Sequence, residues 1–492
     1  MVIIVNKDNI SQLDNTRNYN GEKYPGDLKN WAYYGTDPNE LLRYTYDELS
    51  QKSTTLYHTH PPVKRAINIR TDYAIGQGLL FRSQPDWRIL NISKDYAKDW
   101  SMRFQRLVHY MFLITNFYEK QSVLFRTAGI VGDSFLLFDR KQDGFFDMVE
   151  YGGDIVDSQK TGTTLGIYHD TAMRKSAVNI NPDRKIDFMN EAGDANIIQC
   201  YFKQMARQLR GFPLAYSVIS AAKNNDRLHD AILKRAVLEA TILGFEKNDD
   251  PLSGLVEQAA GLADLSTNTS SESGKIKEVG SVAQQPGTMY SYDSKGSIEF
   301  LEMKTPSNNF DKLQNCYIEM VAMATNTPPE VLKSLYSTSY TAHKGALNDF
   351  IKSTKLDRSV FANNVVKKVI IEIAKYLFLT NMIEMPHPGF FENLTVREAT
   401  IAGNYIGPVP GHINPNQEVS SLKMQVDEAF KTRSQAALEF GNDFEDMIES
   451  WHQENEEFNR KSESEKAEAV EKDLKEDEDE NEQDENEDGD NE

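Results

Sequence analysis

The sequence predicts a mainly helical α+β protein with more than one packed region. The chain has 492 residues, and a single hydrophobic core stops growing beyond about 250 to 300 residues. Several long segments carry apolar residues at the three-and-four spacing of amphipathic helices, while short apolar runs bounded by glycine and aspartate favour strands. Hydrophobic residues make up 39% of the chain and charged residues 26%, which suits a core beneath an extensive hydrated surface.

The first 210 residues combine both patterns. Residues 97–127 place five apolar side chains near helical spacing and predict one amphipathic helix. These side chains are Met102, Leu107, Met111, Ile114 and Phe117. The runs SFLLF at 134–138 and DMVEYG at 147–152 predict short strands. We therefore expect an α+β region over residues 1–210.

A polar segment separates two further helices. Residues 214–243 carry apolar side chains mostly every four residues, with a charged opposite face. Residues 246–287 are rich in serine, glycine and asparagine and are typical of a loop-bearing insertion. Strand-like segments then surround Gly296, and the asparagines of TPSNN can cap a helix from Phe310 that ends before a double proline. The pattern predicts two helices joined by a polar insertion.

The last third of the chain is predicted to be helical until it reaches an acidic tail. A helix from about Ala342 to Leu379 carries apolar residues four apart, and the MPHPGFF run at 385–391 ends it. After a loop rich in glycine and proline, a closing helical region runs from Glu418 to about Glu457. We therefore expect a third long helix followed by a separate helical region.

The net charge of −21 is concentrated in the tail. Twelve acidic residues and no basic ones lie between Glu476 and Glu492, so the preceding 475 residues carry only −9. A segment that repels itself and has no apolar residue after Leu474 cannot bury enough surface to become ordered. We expect a solvated, disordered tail over 471–492, with the binding of a basic partner as the alternative.

The motifs of common enzymes and membrane proteins are absent from the sequence. No stretch reaches the ~18 apolar residues of a membrane span, and the opening MVIIVNKDN lacks the basic leader and long apolar core of a signal peptide. GxxxxGK[ST], GxSxG and HExxH do not occur. The two cysteines, Cys200 and Cys316, show no ligand spacing, fit a reducing compartment and are expected in the core. We expect no enzymatic activity, cofactor or metal.

Five segments, in order, carry motifs similar to those of one protein family. They are HPPVKRAINIRTDYAIGQGL at 60–79, RTAGIVGDSFLLF at 126–138, RQLRGFPLAYSVI at 207–219, a block with PGTMY, GSIEFLEMKTPSNNFDKL, TPPEVL and SYTAHKGALNDF at 286–350, and INPNQEVSSLKMQVDEAFKTRSQAALEFGNDFEDM at 413–447. The residues that carry the similarity are Gly76, Gly78, Arg126, Gly132, Asp133, Arg210, Gly211, Pro213 and Pro329. Together these segments resemble the lambda-type portal proteins of tailed bacteriophages over most of the chain.

The resemblance implies a portal fold with wing, stem, clip and crown regions. The implied regions are the N-terminal part of the wing at 1–210, a stem helix at 214–243, the clip at 246–305, a second stem helix at 308–326, the tunnel loop at 327–341, a long helix with the C-terminal part of the wing at 342–410, and the crown at 418–460. The polar insertion at 246–285 and the acidic tail depart from the family pattern.

The resemblance also implies a function. The chain would form a dodecameric ring at one vertex of the capsid, through which double-stranded DNA is packaged by the terminase motor and later ejected. Terminase large subunit would bind at the clip, the major capsid protein at the wing, and a head–tail adaptor or connector protein would follow after packaging. Assembly would take place in the host cytoplasm and the product would be part of the virion, with no membrane contact.

The implied tunnel loop (TPPEVLKSLYSTSYT) gives the most specific expectation. Its double proline prevents the flanking helices from fusing into one. A single basic residue, Lys333, stands near Leu335, Tyr336 and Tyr340, and such a loop can touch a DNA backbone without holding it tightly. The alternative is that Leu335 and Tyr336 pack into the core and Lys333 is an ordinary solvated lysine.

Two other functions stay open at this point. Clustered carboxylates with the His58 and His60 pair would suit a metal-dependent nuclease or hydrolase, and incubation with DNA and Mg²⁺ or Mn²⁺ would reveal it by turnover. The chain could also be another head component, such as a scaffold or minor capsid protein. Particle shape separates that function from a portal, because a portal forms a closed ring with a central hole.

Overall fold

A computed structural model describes most of the chain in separate stretches. The described residues are 37–43, 45–141, 144–241, 244–247, 297–300, 308–335, 340–408, 415–440, 444 and 447–460. The expected disordered tail at 471–492 and most of the expected clip at 246–305 lie outside these residues. No helix among the described stretches is long and apolar enough to cross a membrane.

The described part of the first 210 residues is α+β, as predicted. Its helices are α1 (Pro38–Arg43), α2 (Tyr46–Thr59), α3 (Pro61–Ala74), α4 (Lys94–Ile114) and α5 (Phe117–Val131). Its strands are β1 (Leu80–Ser83), β2 (Asp133–Arg140), β3 (Phe146–Gly152), β4 (Ile167–His169), β5 (Lys175–Ile180), β6 (Arg184–Asp187) and β7 (Ile197–Tyr201). The strands predicted at 134–138 and 147–152 are β2 and β3.

The prediction of a single helix over 97–127 was wrong. Two helices, α4 and α5, cover this region, and they meet at Thr115 and Asn116. Asn116 has a φ of +51°, in the left-handed region that asparagine tolerates better than most residues and that a continuous helix cannot contain. The chain therefore changes direction there, and Phe112 and Phe117 pack against each other across the bend with ring centres 4.8 Å apart.

The two helices expected around the polar insertion are present. The elements in order are α6 (Ile219–Thr241), β8 (Gly244–Lys247), β9 (Ser297–Phe300), α7 (Asn308–Ala324) and α8 (Pro329–Lys333). The first helix starts at Ile219 and not at 214, because residues 216–218 form a 3₁₀ turn before it. Strands β8 and β9 pair antiparallel, so they tie together the C-terminal end of α6 and the segment leading to α7.

The C-terminal third is helical but more divided than predicted. It contains α9 (Tyr340–Phe361), α10 (Lys367–Leu379), α11 (Leu394–Thr400), β10 (Gly403–Ile406), α12 (Pro415–Asp427), α13 (Arg433–Glu439) and a helix α14 at 447–460. A π-helical turn at Ala362–Val366 joins α9 to α10, so the helix expected from about Ala342 to Leu379 is helical throughout. The closing region, by contrast, is three helices, and Ala429 after α12 has a φ of +62° that ends the first of them.

Antiparallel pairing and one main core hold the described elements together. The sheets have the orders β3-β2-β7 and β4-β5-β6, and β1 pairs with β10 in the register Leu80 to Ile406. The β1–β10 pairing joins the segment before α4 to the segment after α11. The main core surrounds α10 and includes Trp100, Phe112 and Ile370, each fully buried. Burying side chains of this size is the largest favourable contribution to folding.

Candidate functional site

Arg210 and Asp133 form a completely buried ion pair. Neither side chain is exposed to solvent. The guanidinium donates two parallel hydrogen bonds to the carboxylate, one from Nε to Oδ2 and one from Nη2 to Oδ1 at 2.9 Å. This two-pronged geometry is among the strongest that arginine and a carboxylate form. The residues are 77 positions apart, so the pair joins the start of β2 to the segment before α6.

Other polar groups complete the environment of the pair. Arg210 also donates to the carbonyl of Leu165 at 3.0 Å and to that of Gly153 at 2.6 Å. The ring of Tyr46 lies 4.0 Å from the guanidinium carbon, and its hydroxyl donates to Asp133 Oδ1 at 2.5 Å. Burial raises the pKa of Tyr46, so this hydroxyl stays protonated. Burial opposes the charge of Arg210, but Asp133 and Tyr46 more than offset it and raise the pKa of the arginine.

Gln199 extends this network to a lysine. Its Nε2 donates to Asp133 Oδ2 at 2.8 Å, and its Oε1 accepts a hydrogen bond from Lys175. Lys175 also donates to the Leu209 carbonyl at 2.8 Å and lies 3.8 Å from the centre of the Tyr201 ring. Burial lowers the pKa of Lys175 to about 7, although the Asp133 carboxylate acts in the opposite direction. Each oxygen of Asp133 thus accepts two hydrogen bonds, and the network spans α2, β2, β5 and β7.

Gly132 and Gly211 let the two motif segments touch. A Cβ on Gly211 would lie 1.9 Å from the Gly132 carbonyl oxygen, and a Cβ on Gly132 would lie 2.6 Å from that of Gly211. Gly132 also has a φ of +114°, which residues with a side chain rarely adopt. Pro213 is buried beside the two glycines. The structure therefore assembles Gly132, Asp133, Arg210, Gly211 and Pro213 into one site that the sequence alone did not join.

We expect Gly211→Ala to destabilise the subunit by about 1 to 3 kcal/mol or more, because the new methyl group must displace the Gly132 backbone. The matched control is Gly345→Ala in α9, where the methyl group meets no atom within 4 Å. That substitution should stabilise the helix by roughly 0.5 to 1 kcal/mol. Denaturant unfolding of both variants measures the difference, and equal effects would contradict the close approach of the two glycines.

The other family-motif residues lie in the loop after α3, in α8 and in α5. Gly76 and Gly78 follow α3 and have φ values of +59° and +114°. A Cβ on Gly78 would lie 2.7 Å from the ring of Tyr118, so glycine is required for the chain to pass α5 here. Pro329 stands in the first turn of α8, where its missing N–H costs no helical hydrogen bond. Arg126, the remaining charged motif residue, lies on α5 and is partly buried.

Helices α6 and α7 lie side by side and run antiparallel. Gln314 of α7 donates to Asn225 of α6 at 3.0 Å, and the ring centres of Phe310 and His229 are 5.4 Å apart. Because the later residue of α6 contacts the earlier residue of α7, the two helices run in opposite directions. The base of the pair is buried against α2 and α3 in a cluster that includes Val218, Ala222, Tyr317 and Val321. Beyond this base, both helices expose much of their surface.

His60 connects the α2–α3 junction to both of these helices. Its Nε2 is 3.2 Å from Asp226 of α6, and its Nδ1 is 3.0 Å from the hydroxyl of Tyr317 of α7. Burial raises the pKa of Tyr317 to about 12, so the hydroxyl stays protonated at neutral pH and remains available for this hydrogen bond. His58, in contrast, is exposed. The two histidines are therefore not a pair, and the described residues contain no group of three potential metal ligands.

The described part of the predicted tunnel loop is not all loop. Helix α8 occupies five of its residues, and Leu332 is 4% exposed. Lys333 donates to Asn315 of α7 at 2.9 Å, while Leu335 is 65% exposed, which contradicts its placement in the core. Tyr340 is the first residue of α9, and Tyr336 lies outside the described residues. The structure does not show Lys333, Leu335, Tyr336 and Tyr340 as one group.

Two arginines of α3, which the sequence analysis missed, hold the ends of this segment. Arg65 donates to the Leu332 carbonyl at 2.8 Å and to the Ser334 hydroxyl at 2.5 Å, at the C-terminal end of α8. Arg70 donates to the Thr325 carbonyl at 2.9 Å, just after α7, and forms an ion pair with Asp357 of α9. Cations favour helix C-termini, whose carbonyls are unpaired and carry partial negative charge. No pattern in the sequence indicates this role, because isolated arginines on a helix are usually solvated.

The comparison with known families defines the class of protein. A sequence profile described as phage portal protein, lambda family, matches residues 24–358, which is more than half of the chain. The chain therefore belongs to the lambda family of phage portal proteins, as the motifs predicted. No curated protein matches this sequence.

Chains of gene transfer agent particles are among the solved structures with a detectable likeness to this chain. A chain of "Virion of native gene transfer agent (GTA) particle" is 12% identical, with a TM-score of 0.40, and the match covers 81% of this chain and 93% of that one. A chain of "Neck of native GTA particle computed with C12 symmetry" is 11% identical, with a TM-score of 0.37, and the match covers 81% of this chain and 94% of that one.

Proposed function

We propose that this protein forms a ring-shaped channel at one vertex of a capsid, through which double-stranded DNA is packaged and later ejected. Membership of the portal family supports this function. The observation that carries the proposal is the antiparallel pair α6 and α7, which projects from a buried base and exposes apolar and charged side chains along its length. Helices of this kind suit a wall that packs against neighbouring subunits and borders water.

The same proposal assigns the regions of the chain. The wing comprises 1–210 and 342–410, α6 and α7 form the stem, the residues between them at 246–305 form the clip, and the helices at 418–460 form the crown. The β1–β10 and main-core contacts support a single wing built from both ends of the chain. The segment at 327–341, held by Arg65 and Arg70, is the tunnel loop that faces the DNA.

The proposed partners follow from the position of the ring. Terminase large subunit docks on the clip during packaging, the major capsid protein surrounds the wing, and a head–tail adaptor or connector protein replaces the terminase afterwards. The protein assembles in the host cytoplasm and remains in the virion. A DNA channel must not grip the duplex, and a body with a charge of −9 outside the acidic tail avoids the strong neutralisation of phosphates that would hold it.

Imaging of the purified full-length protein tests this function. Negative-stain micrographs should show closed rings with a central hole, and mass measurement should give a discrete multiple of the subunit mass. Monomers across a wide range of salt and protein concentration would contradict the proposal, and a closed particle without a hole would favour a scaffold or minor capsid function.

Deletion of residues 476–492 should leave the ring intact. The segment contains twelve acidic residues and no apolar ones, so it contributes little to packing between subunits. The truncated and full-length proteins should therefore give the same ring size in mass measurements. Loss of rings on truncation would show instead that the tail binds a basic surface of a neighbouring subunit.

A further inference from the structure

Three exposed cations lie near the C-terminal end of strand β7. Lys203 and Arg207 belong to the loop that follows the strand, and Lys368 lies at the start of α10. None of the three forms an ion pair with any residue that the structure describes. The chain as a whole carries a net charge of −21, so a group of cations without carboxylate partners is a surface that can attract an anion.

The loop after β7 is held in one shape by the side chain of Gln208. This residue is 1% exposed, and its Oε1 accepts hydrogen bonds from the backbone N–H groups of Gln204 at 2.8 Å and Met205 at 3.0 Å. The backbone carbonyl of Gln208 accepts from the hydroxyl of Tyr201 at 3.1 Å, which ties the end of the loop to the strand. The loop therefore presents its two cations on a fixed backbone.

Lys175 adds a fourth cation beneath this loop, because its ammonium group lies 3.8 Å from the centre of the Tyr201 ring. Burial lowers the pKa of Lys175 to about 7, and the positive charges of Lys368 and Lys203 contribute to this decrease. Such an effect requires that the three ammonium groups lie near one another. We refer to these three lysines and Arg207 as the basic cluster.

Two carboxylates lie near the basic cluster, and both are already paired. Asp133 is fully buried in its ion pair with Arg210. Glu372, on α10, has a side chain that is 3% exposed and forms ion pairs with Arg140 and Lys375. The negative charges of these two residues are therefore matched within their own pairs, and the basic cluster is left for another anion.

The acidic segment at 476–492 has the complementary charge. It contains twelve acidic residues and no basic ones, so its carboxylates repel one another in the absence of a cationic partner. No apolar residue follows Leu474, so this segment has no side chains for an apolar groove, and charge is its only means of strong attraction. A surface of exposed lysines and arginines is therefore the kind of surface that it can bind.

The position of α14 places the acidic segment within reach of the basic cluster. Trp451 of α14 lines one groove together with Phe81 of β1 and Val108 of α4, so the helix lies against the same part of the subunit. The described residues end at Arg460. The 15 residues at 461–475 can span up to about 50 Å. This span is twice the radius of gyration, about 23 Å, of a compact chain of this length.

We propose that the acidic segment at 476–492 binds the basic cluster of its own chain. The inference goes beyond the proposed ring and does not depend on it. Ion pairs between exposed side chains are individually weak and are screened by salt, so binding needs several of them at once and is lost at high ionic strength. The bound segment competes with other polyanions, DNA phosphates included, for the same cations.

Proteolysis of the full-length protein tests this contact. At about 50 mM salt, a glutamate-specific protease should cut within 476–492 at least about tenfold faster in the double variant Lys203→Glu, Lys368→Glu than in the wild type, because cleavage follows the population of the unbound segment. Intact-mass measurements record the cuts, and a free peptide with the sequence of 476–492 corrects for the activity of the protease. The matched control is Lys98→Glu with Arg103→Glu on α4. Both residues are exposed, and the change in net charge is the same, so the wild-type rate should persist.

Salt provides a second measurement that needs no substitution. Raising the salt to about 0.5 M, where the Debye length falls to roughly 4 Å, should bring the cleavage of the wild type to the rate of the double variant. Equal cleavage of the wild type and the double variant at low salt would overturn the contact. An equal acceleration in the α4 control would place the segment on another surface and overturn it as well. These outcomes leave the proposed function untouched, since micrographs of the ring test it separately.

Discussion

We expect Arg210→Ala to lower the free energy of unfolding by about 3 to 5 kcal/mol, because it leaves the Asp133 carboxylate buried without its cation. The guanidinium also supplies donors to the carbonyls of Leu165 and Gly153, which would lose their partners. Denaturant unfolding of the full-length protein measures the loss. Lys203→Ala, in the same segment but exposed, is the control and should change stability by no more than about 0.5 kcal/mol.

A lysine at position 210 distinguishes charge from geometry. Arg210→Lys keeps the positive charge, but an ammonium group cannot reproduce the two parallel bonds to Asp133 while also reaching both carbonyls. We expect most of the loss to persist in this variant. If lysine restored full stability, charge alone would explain the site, and the two-pronged geometry would be unimportant. A loss below about 1 kcal/mol for Arg210→Ala would contradict the buried ion pair itself.

The position of this ion pair relates it to the proposed function. Arg210, Gly211 and Pro213 stand directly before the 3₁₀ turn that starts α6. The arginine fixes this segment to β2 and α2, and Gly211 packs its backbone on Gly132. The strand β2 and the helix α2 thus hold the segment before α6 through buried, hydrogen-bonded contacts. Such contacts define one geometry, which a subunit needs if many copies are to close into a ring.

Helices could be predicted from the sequence where capping residues and apolar spacing within the helix itself mark it. The asparagines before Phe310 and the apolar spacing after it predicted α7 within two residues of its observed start at Asn308. The break at Asn116 was not predictable in this way, because the apolar spacing continues on both sides of one left-handed residue. The same holds for α8, a helix too short for periodicity to reveal. Placing both cysteines in the core was correct for Cys200 and wrong for Cys316.

The sequence predicted which residues belong to the candidate site, but it did not predict that they contact one another. Family motifs singled out Gly132, Asp133, Arg210, Gly211 and Pro213, yet nothing in the sequence says that an arginine pairs with an aspartate 77 positions away. Tertiary structure alone makes that contact. For His60 the sequence left a metal pair with His58 open only as an alternative, and the structure instead directs His60 to Asp226 and Tyr317.

Substitutions in the segment at 327–341 can test its function without changing the stability of the subunit, and Leu335→Ser is the first of them. The side chain is 65% exposed, so its replacement should change the free energy of unfolding by no more than about 0.5 kcal/mol and leave ring assembly intact.

Under the proposed function, the combined replacement of Lys333, Leu335 and Tyr336 by glycine and serine should greatly reduce the number of particles that protect their DNA from added nuclease. Infection or in vitro packaging followed by quantification of protected DNA measures this effect.

Leu332→Ala is the matched control for stability, because Leu332 lies three residues earlier and is 4% exposed. Removing most of a buried leucine leaves a cavity and should cost about 2 to 5 kcal/mol. The pair of leucines therefore tests whether the segment divides into a buried anchor, held by Arg65, and an exposed tip. Full packaging by the triple variant would contradict contact of this tip with DNA. A loss of several kcal/mol for Leu335→Ser would show that the tip belongs to the core.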